Sequence, residues 1–305
     1  MRALRAAGAL PHGTCHVRTK AGLEPLDVAD RAAVGAAIER HRPNTIYLAA
    51  ALTAVDYCED HEDEARRINV QGTRNVAEAA ARVGAKLVFY STEYVFDGRG
   101  GPYGEDDPIS PQGAYARSKA AGEQAARDGT PNHLILRTTV VYGWDRASRN
   151  FAMQLWERLS AGDRMRVPHD QIGNPTLADF LAETSVELVR RGLAGATVNL
   201  VGRDRVARSD FAVRLAERLH LDSSLIEPVS TASLNQRAPR PLNAGLRTDK
   251  LASILGRPAI GLDAALDRFV AAMEADPIDH PSPSQGGSVG ARGLPATDEA
   301  SADER

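Results

Sequence analysis

Three short apolar runs alternate with stretches of helical periodicity, and this alternation restricts the chain to a sheet whose strands run parallel. The runs are NTIYLAAA at 44–51, KLVFY at 86–90 and HLILRTTVV at 133–141. They are apolar nearly throughout rather than at every second residue, as expected of strands covered on both faces. Between the first two, Ala65, Ile68, Val76 and Ala79 recur at helical spacing over 62–83, and Gly84 stands where a helix C-cap belongs. A second helix is expected over 115–127. Strand, helix, strand is a right-handed crossover. The predicted fold class is therefore α/β, a doubly wound parallel sheet of Rossmann-like type.

Beyond Gly143 the texture changes to that of a smaller C-terminal substrate lobe. A helix is expected over 151–159, DQIGNPT follows at 170–176, Ser209 precedes Phe211, Leu215 and Leu219, and a last amphipathic helix carries Leu262, Leu266, Phe269, Val270 and Met273. The expected organisation is an NAD(P)-binding domain at 1–145 and a substrate-binding lobe at 146–275, with segments around 171–203 returning to the sheet. Residues 276–305 hold four Pro, four Gly, four Ser and no aromatic residue. They bury too little to offset ordering entropy and are expected to form a disordered tail.

A net charge of −3 and a pI near 6.3 provide no basic field for nucleic acid or an anionic membrane, and no apolar run approaches the roughly 18 to 20 residues needed to span a bilayer. Two cysteines, Cys15 and Cys58, and scattered histidines give neither a disulfide framework nor a metal-ligand pattern. No metal is expected, and a reducing cytoplasm is the simplest compartment. The opening MRALRAAGAL lacks the apolar core of a signal peptide.

Tyr115 and Lys119 lie four apart at the start of a predicted helix, so their side chains share one face. A tyrosine, with a pKa of about 10, is a poor acid at neutrality, and a neighbouring ammonium favours its phenolate. Ser91, Thr92 and Glu93 stand at the carboxyl end of a strand, where open parallel sheets bind ligands. There Thr92 can donate to a substrate carbonyl while Tyr115 delivers a proton and a dihydronicotinamide a hydride. A solvated Tyr/Lys pair and hydroxyls that merely form a turn are the structural alternative.

Several motifs decide between these readings. STEYVFDG at 91–98, Pro102-Tyr103, Tyr115-x-x-x-Lys119 and Gly122-Glu123 together closely resemble the signature of dTDP-4-dehydrorhamnose reductases, within the extended short-chain dehydrogenases. AALTAVD at 50–56, Asn69-Val70, Gly72-Thr73-x-Asn75, RTTVVYG at 137–143, DQIGNPT, Arg240-Pro241, Leu246-Arg247-Thr248 and Lys250-Leu251 extend the match from about Gly22 to Phe269. The resemblance implies that Thr92, Tyr115 and Lys119 are catalytic, with Lys119 also holding the nicotinamide ribose. It implies that Ala50, Ala51 and Thr53 line the cofactor, that Asp27 and Val28 meet its adenine, that Glu93 and Tyr94 face the substrate, and that Gln171 approaches the nucleotide sugar.

The implied activity is NAD(P)H-dependent reduction of a nucleotide-linked 4-keto-6-deoxy sugar, by a homodimer. The alternatives are a nucleotide-sugar epimerase or dehydratase, and a non-catalytic subunit like the methionine adenosyltransferase β subunit. NADP(H) and NAD(H) both remain open: Arg18 and Lys20 lean toward NADPH, and solvated loop charges explain them equally well.

Two departures stand out. The family opens with a strand and a Gly-x-x-Gly-x-x-Gly turn that lets a pyrophosphate approach a helix N-terminus, and this segment is missing here. Residues 3–8 resemble the end of the helix after it, and 13–18 resemble the second strand. GRGGPYG at 98–104 contains Pro102 and opens into no helix, so it is no substitute. The first strand is interior in a 3-2-1-4-5-6 sheet, so its neighbours are expected to lack ladder partners, at about 1–3 kcal/mol per unpaired buried group. A misplaced start explains this better than a decayed gene, because the substrate-side motifs are undamaged. Secondly, Val140 stands where the family often has a tryptophan, and Glu93 where it usually has aspartate. The sugar is expected to differ from L-rhamnose.

Overall fold

The computed structural model describes residues 1–16 and 22–276. In chain order, a short helix α1 (Arg2–Ala6) precedes β1 (Gly13–Cys15) and β2 (Leu23–Pro25), which pair in parallel as a ribbon of their own. Helix α2 (Arg31–His41) starts where the Asp30 carboxylate accepts the Ala32 and Ala33 amides at 2.9 and 3.0 Å. Then follow β3 (Thr45–Leu48), α3 (Thr73–Val83), β4 (Lys86–Thr92), α4 (Ala114–Gly129) and β5 (His133–Thr138). The remaining large elements are α5 (Phe151–Ser160), α6 (Ala178–Arg190), β6 (Ala196–Asn199), α7 (Arg208–Arg218) and α8 (Leu262–Glu274). The main sheet has the order β6-β5-β4-β3, with every pair parallel. This is the predicted doubly wound α/β class.

Alternation along β4 builds the two cores. Leu87 and Phe89 point to one face, where Val34, Ile38, Val76 and Ala80 of α2 and α3 cover them. Val88 points to the other, beside Leu134, Leu136, Leu155, Phe211, Leu266 and Phe269. Both sides of the strand are thus dry, which is why its sequence reads as an unbroken apolar run. Helices α5, α7 and α8 pack on the sheet itself, and β6 returns to its edge.

Local departures from the sequence expectations have identifiable causes. The first run stops being strand at Leu48, and Ala49 to Ala51 leave the sheet. The third run breaks after Thr138 because Val140 has φ +41°, a left-handed conformation that a β-branched side chain rarely adopts. The helix expected over 62–83 is interrupted by a wider π-helical turn, Arg67–Gly72, and ends as expected with Gly84 at φ +72°. β3 pairs with β4 on one side and has no ladder partner on the other among the described residues, and β1–β2 stand apart from the main sheet. Arg18, Lys20 and the tail from 277 onward lie outside the described residues.

Two of the motif residues act as clamps. Glu123 of α4 and Arg137 of β5 form a buried fork with contacts of 2.8 and 2.9 Å, and Arg137 also donates to the Glu105 carbonyl at 3.0 Å. Gly122 lets α4 come close, since a Cβ there would lie 2.8 Å from the Asn69 carbonyl oxygen and 2.9 Å from the Phe89 ring.

Candidate active site

The carboxyl ends of the parallel strands form one rim, and most of the candidate residues lie along it. Asp27 and Val28 follow β2, Ala50, Ala51 and Thr53 follow β3, and Thr92, Glu93 and Tyr94 close β4. Tyr115 and Lys119 come from the first turns of α4 and meet the β4 group. The Tyr94 and Tyr115 rings pack edge to face at 5.5 Å. Thr92 donates to Glu93 Oε2 at 2.8 Å and accepts the Tyr94 amide at 3.2 Å, and Thr139 donates to Glu93 Oε1 at 2.6 Å. The Glu93 side chain expected to face the substrate is thus only 8% exposed and held by two hydroxyls. Burial pushes the Glu93 carboxyl up against the opposing effect of Thr139 and Thr92, which favours its protonated form.

The acid–base pair differs from the sequence picture in one respect. Burial, and then the Glu93 carboxyl, push the Tyr115 phenol above its ordinary range, while the Thr92 hydroxyl beside it opposes the shift. Lys119 does not offset this. Its ammonium donates to the Tyr90 carbonyl at 2.7 Å and lies 4.2 Å from the Phe89 ring centroid, and burial pushes it down to about 8. The ammonium expected to favour the phenolate is therefore directed at the β4 backbone.

The remaining candidates divide into two groups. Ala50 and Thr53 are exposed and Ala51 half-buried, on the ledge beside the free edge of β3. Asp27 accepts the Ala29 amide at 2.9 Å and pairs with Arg67 at 3.2 Å, and Val28 packs against Gly72. Gln171 lies on the other side. With Glu93, Tyr94, Val140 and Arg208 it lines a small cleft, and its side chain donates to Thr231 at 3.1 Å.

Sequence reasoning assigned no role to several residues that organise this region. Asn69 accepts the Leu52 amide at 2.8 Å and donates to the Leu52 carbonyl at 3.0 Å and to Ser118 at 2.9 Å, binding the loop after β3 to α4. Arg240 pairs with Asp56 at 2.7 Å and so joins two distant motifs. Arg208 opens α7 in the wall of the cleft and carried no local signal. His12, Glu24 and His41 also converge, with both imidazoles on one Glu24 oxygen at 2.8 and 2.9 Å and Arg40 on the other. Nothing in their spacing announced it.

A doubly wound sheet with a hydroxyl at the end of β4 and a Tyr-x-x-x-Lys on the next helix defines an extended short-chain dehydrogenase/reductase. The chain belongs to the family whose model is described as the RmlD substrate binding domain, which matches residues 3–275. It is 35% identical over 245 residues to the dTDP-4-dehydrorhamnose reductase of Sinorhizobium fredii, covering 77% of this chain and 82% of that one. It is 38% identical over 220 residues to that of Mycobacterium tuberculosis, covering 70% and 71%. The solved dTDP-4-dehydrorhamnose reductase of Bacillus anthracis, in complex with NADP, superposes with a TM-score of 0.77 at 30% identity, covering 81% of this chain and 86% of that one. A dTDP-glucose 4,6-dehydratase from Streptomyces venezuelae, at 21% identity and a TM-score of 0.71, shares the fold. No helix among the described residues is long and apolar enough to cross a membrane.

Proposed function

We propose that the protein is an NAD(P)H-dependent reductase of a nucleotide-linked 4-keto-6-deoxy sugar, with 1–145 as its cofactor-binding part and 146–275 as its substrate lobe. The observation that carries this reading is the meeting of Thr92, Tyr115 and Lys119 at the carboxyl end of β4, in a chain of this family. The residues present fit the two ends of a nicotinamide dinucleotide. A buried ammonium suits the nicotinamide ribose, Ala50, Ala51 and Thr53 leave an open ledge beside it, and Asp27 and Val28 border the adenine side. Among the described residues no glycine turn between strand and helix cradles the diphosphate. When bound, the cofactor supplies the hydride.

The chain's own residues supply the rest. Thr92 turns its hydroxyl from Glu93 to the substrate carbonyl oxygen, and Tyr115 gives that oxygen its proton. A phenol held high by burial is protonated at neutral pH but is a weaker acid than free tyrosine, so its proton passes only as hydride transfer makes the substrate oxygen strongly basic. Lys119, pulled down to about 8, holds the ribose and exchanges protons near the working pH. Glu93, Tyr94 and Gln171 face the sugar.

A homodimer and a cytoplasmic location belong to the same reading. The free thiols of Cys15 and Cys58 suit a reducing compartment, and sedimentation of the purified chain tests the dimer.

The decisive experiment is Tyr115→Phe, assayed by oxidation of NADPH and NADH with dTDP-4-keto-6-deoxyglucose. Loss of the general acid is expected to lower kcat by roughly 10²- to 10⁴-fold with the fold intact. Unchanged turnover in the variant would remove Tyr115 from the mechanism.

A further inference from the structure

We infer that Arg208 is a specificity-determining residue that donates hydrogen bonds to an oxygen substituent on the ring of the sugar, a group the substrate must therefore carry. The inference rests on the reductase reading above and deepens it. The first residue of α7 is fixed by its own amide, which donates to the Gln171 carbonyl at 2.9 Å. Its side chain enters the cleft shared with Glu93, Tyr94, Thr139 and Val140. There the guanidinium lies 5.3 Å from the Phe151 ring centroid, and Nε is shut off from solvent without a hydrogen-bond partner.

A second arginine in the same molecule shows how unusual this is. Arg137, fully buried where Arg208 is half-buried, has its guanidinium satisfied by both Glu123 oxygens and the Glu105 carbonyl. Arg208 has no such arrangement, although an arginine keeps its charge at any accessible pH. The acidic group in its wall, Glu93, has its oxygens engaged by Thr92 and Thr139, and the other nearby cation, Arg240, is held by Asp56. Burying an unpaired guanidinium donor is costly, and such a cost persists where a ligand meets it.

The position of the residue selects the ligand. Glu93 follows Thr92 directly, so the cleft adjoins the end of the substrate that reacts, which is the sugar. On the same cleft Val140 is held at φ +41°, a strained conformation of the kind that clusters where a ligand is clamped. The cleft thus offers an aliphatic surface at Val140 and a hydrogen-bonding fork at Arg208. A ring bearing a hydroxyl toward Arg208 satisfies the fork; a ring lacking that oxygen leaves it unpaired.

The test is calorimetric binding of dTDP, dTDP-6-deoxyglucose and the 2-deoxy and 3-deoxy forms of that sugar nucleotide to the wild-type chain, Arg208→Leu and Arg208→Lys. The wild type is expected to bind dTDP-6-deoxyglucose more tightly than dTDP. Arg208→Leu is expected to lose roughly ten- to hundred-fold for the sugar nucleotide and to bind dTDP unchanged. One deoxy form is expected to bind the wild type as weakly as the full sugar binds the variant. Equal weakening of dTDP would assign Arg208 to the diphosphate and overturn the inference, as would unchanged binding of every ligand. Arg208→Lys keeps the charge without the fork and is expected to recover only part of the loss, so it serves also if the leucine variant does not fold. A wild type that binds the sugar nucleotide with this discrimination but reduces no keto sugar would refute the reductase reading and leave the role of Arg208 standing.

Discussion

Replacing Glu123 by Gln would leave the Arg137 guanidinium, 3% exposed, facing a neutral amide in a dry interface between α4 and β5. Breaking a buried ion pair from one side costs about 3–5 kcal/mol, because the remaining charge keeps its desolvation penalty without its partner. Here the penalty is paid against a fork of two contacts, 2.8 and 2.9 Å long, with Arg127 adding a third to the same carboxylate at 3.0 Å. For a chain of this size each kcal/mol moves Tm by about 2–4 °C, so Glu123→Gln is expected to lower it by roughly 6–20 °C. The double variant Glu123→Met with Arg137→Met removes both charges and should regain most of that loss. Acid should act in the same direction. Burial alone would raise the Glu123 carboxyl, yet Arg137 overrides it and holds the group below its ordinary value of 4.5. Its contribution is therefore present above the ordinary carboxylate range and lost as pH falls through the folded value. Scanning calorimetry of the three proteins between neutral and acid pH checks both statements. A single variant that melts within about 2 °C of the wild type would refute the reasoning, since that corresponds to less than about 1 kcal/mol.

Three further expectations follow from the same packing. Burial lowers Lys119 from 10.5 to about 8, so the unfolded chain holds the extra proton between those values and stability should rise with pH across that window; Lys119→Met is expected to flatten this rise in alkaline melting curves. Asn69→Leu deprives the Leu52 amide of its partner, at about 1–3 kcal/mol, and removes one donor each from the Leu52 carbonyl and the Ser118 hydroxyl, so urea titration should show a lower midpoint with an unchanged slope. Gly122→Ala sets helix propensity, worth about 1 kcal/mol, against a Cβ 2.8 Å from the Asn69 carbonyl; a net loss of stability is expected, and a higher Tm would show that α4 yields at little cost.

The parallel sheet was legible because strands covered on both faces leave an apolar run, as in Leu87, Val88 and Phe89, and because helices between them keep a 3.6-residue period. That Tyr115, Lys119 and Thr92 come together at one strand end was legible through motif spacing combined with the place of Thr92 at the end of β4. The interruption at Val140 was not, since nothing in RTTVVYG requires a left-handed valine; only tertiary contacts hold one there. The contacts of Arg208, Asn69 and Arg240 were hidden for a related reason, although Asn69 and Arg240 stand in motifs. Their partners lie 37, 17 and 184 positions away in sequence, at Gln171, Leu52 and Asp56, and no local pattern encodes such contacts. The direction of the Tyr115 shift was misread because spacing shows that Lys119 shares its face, but does not show that the ammonium bonds to the Tyr90 carbonyl.

The free edge of β3 has a consequence for how the molecule behaves in company. It presents a row of backbone donors and acceptors flanked by the half-buried side chains of Ile46 and Tyr47, with a fully paired parallel neighbour behind it. Such an edge is a template: an extended apolar segment laid along it in the parallel sense would gain a ladder on one side and apolar cover on both faces. Among the described residues no strand pairs with this edge, and a net charge of −3 gives little long-range repulsion to oppose an approaching segment.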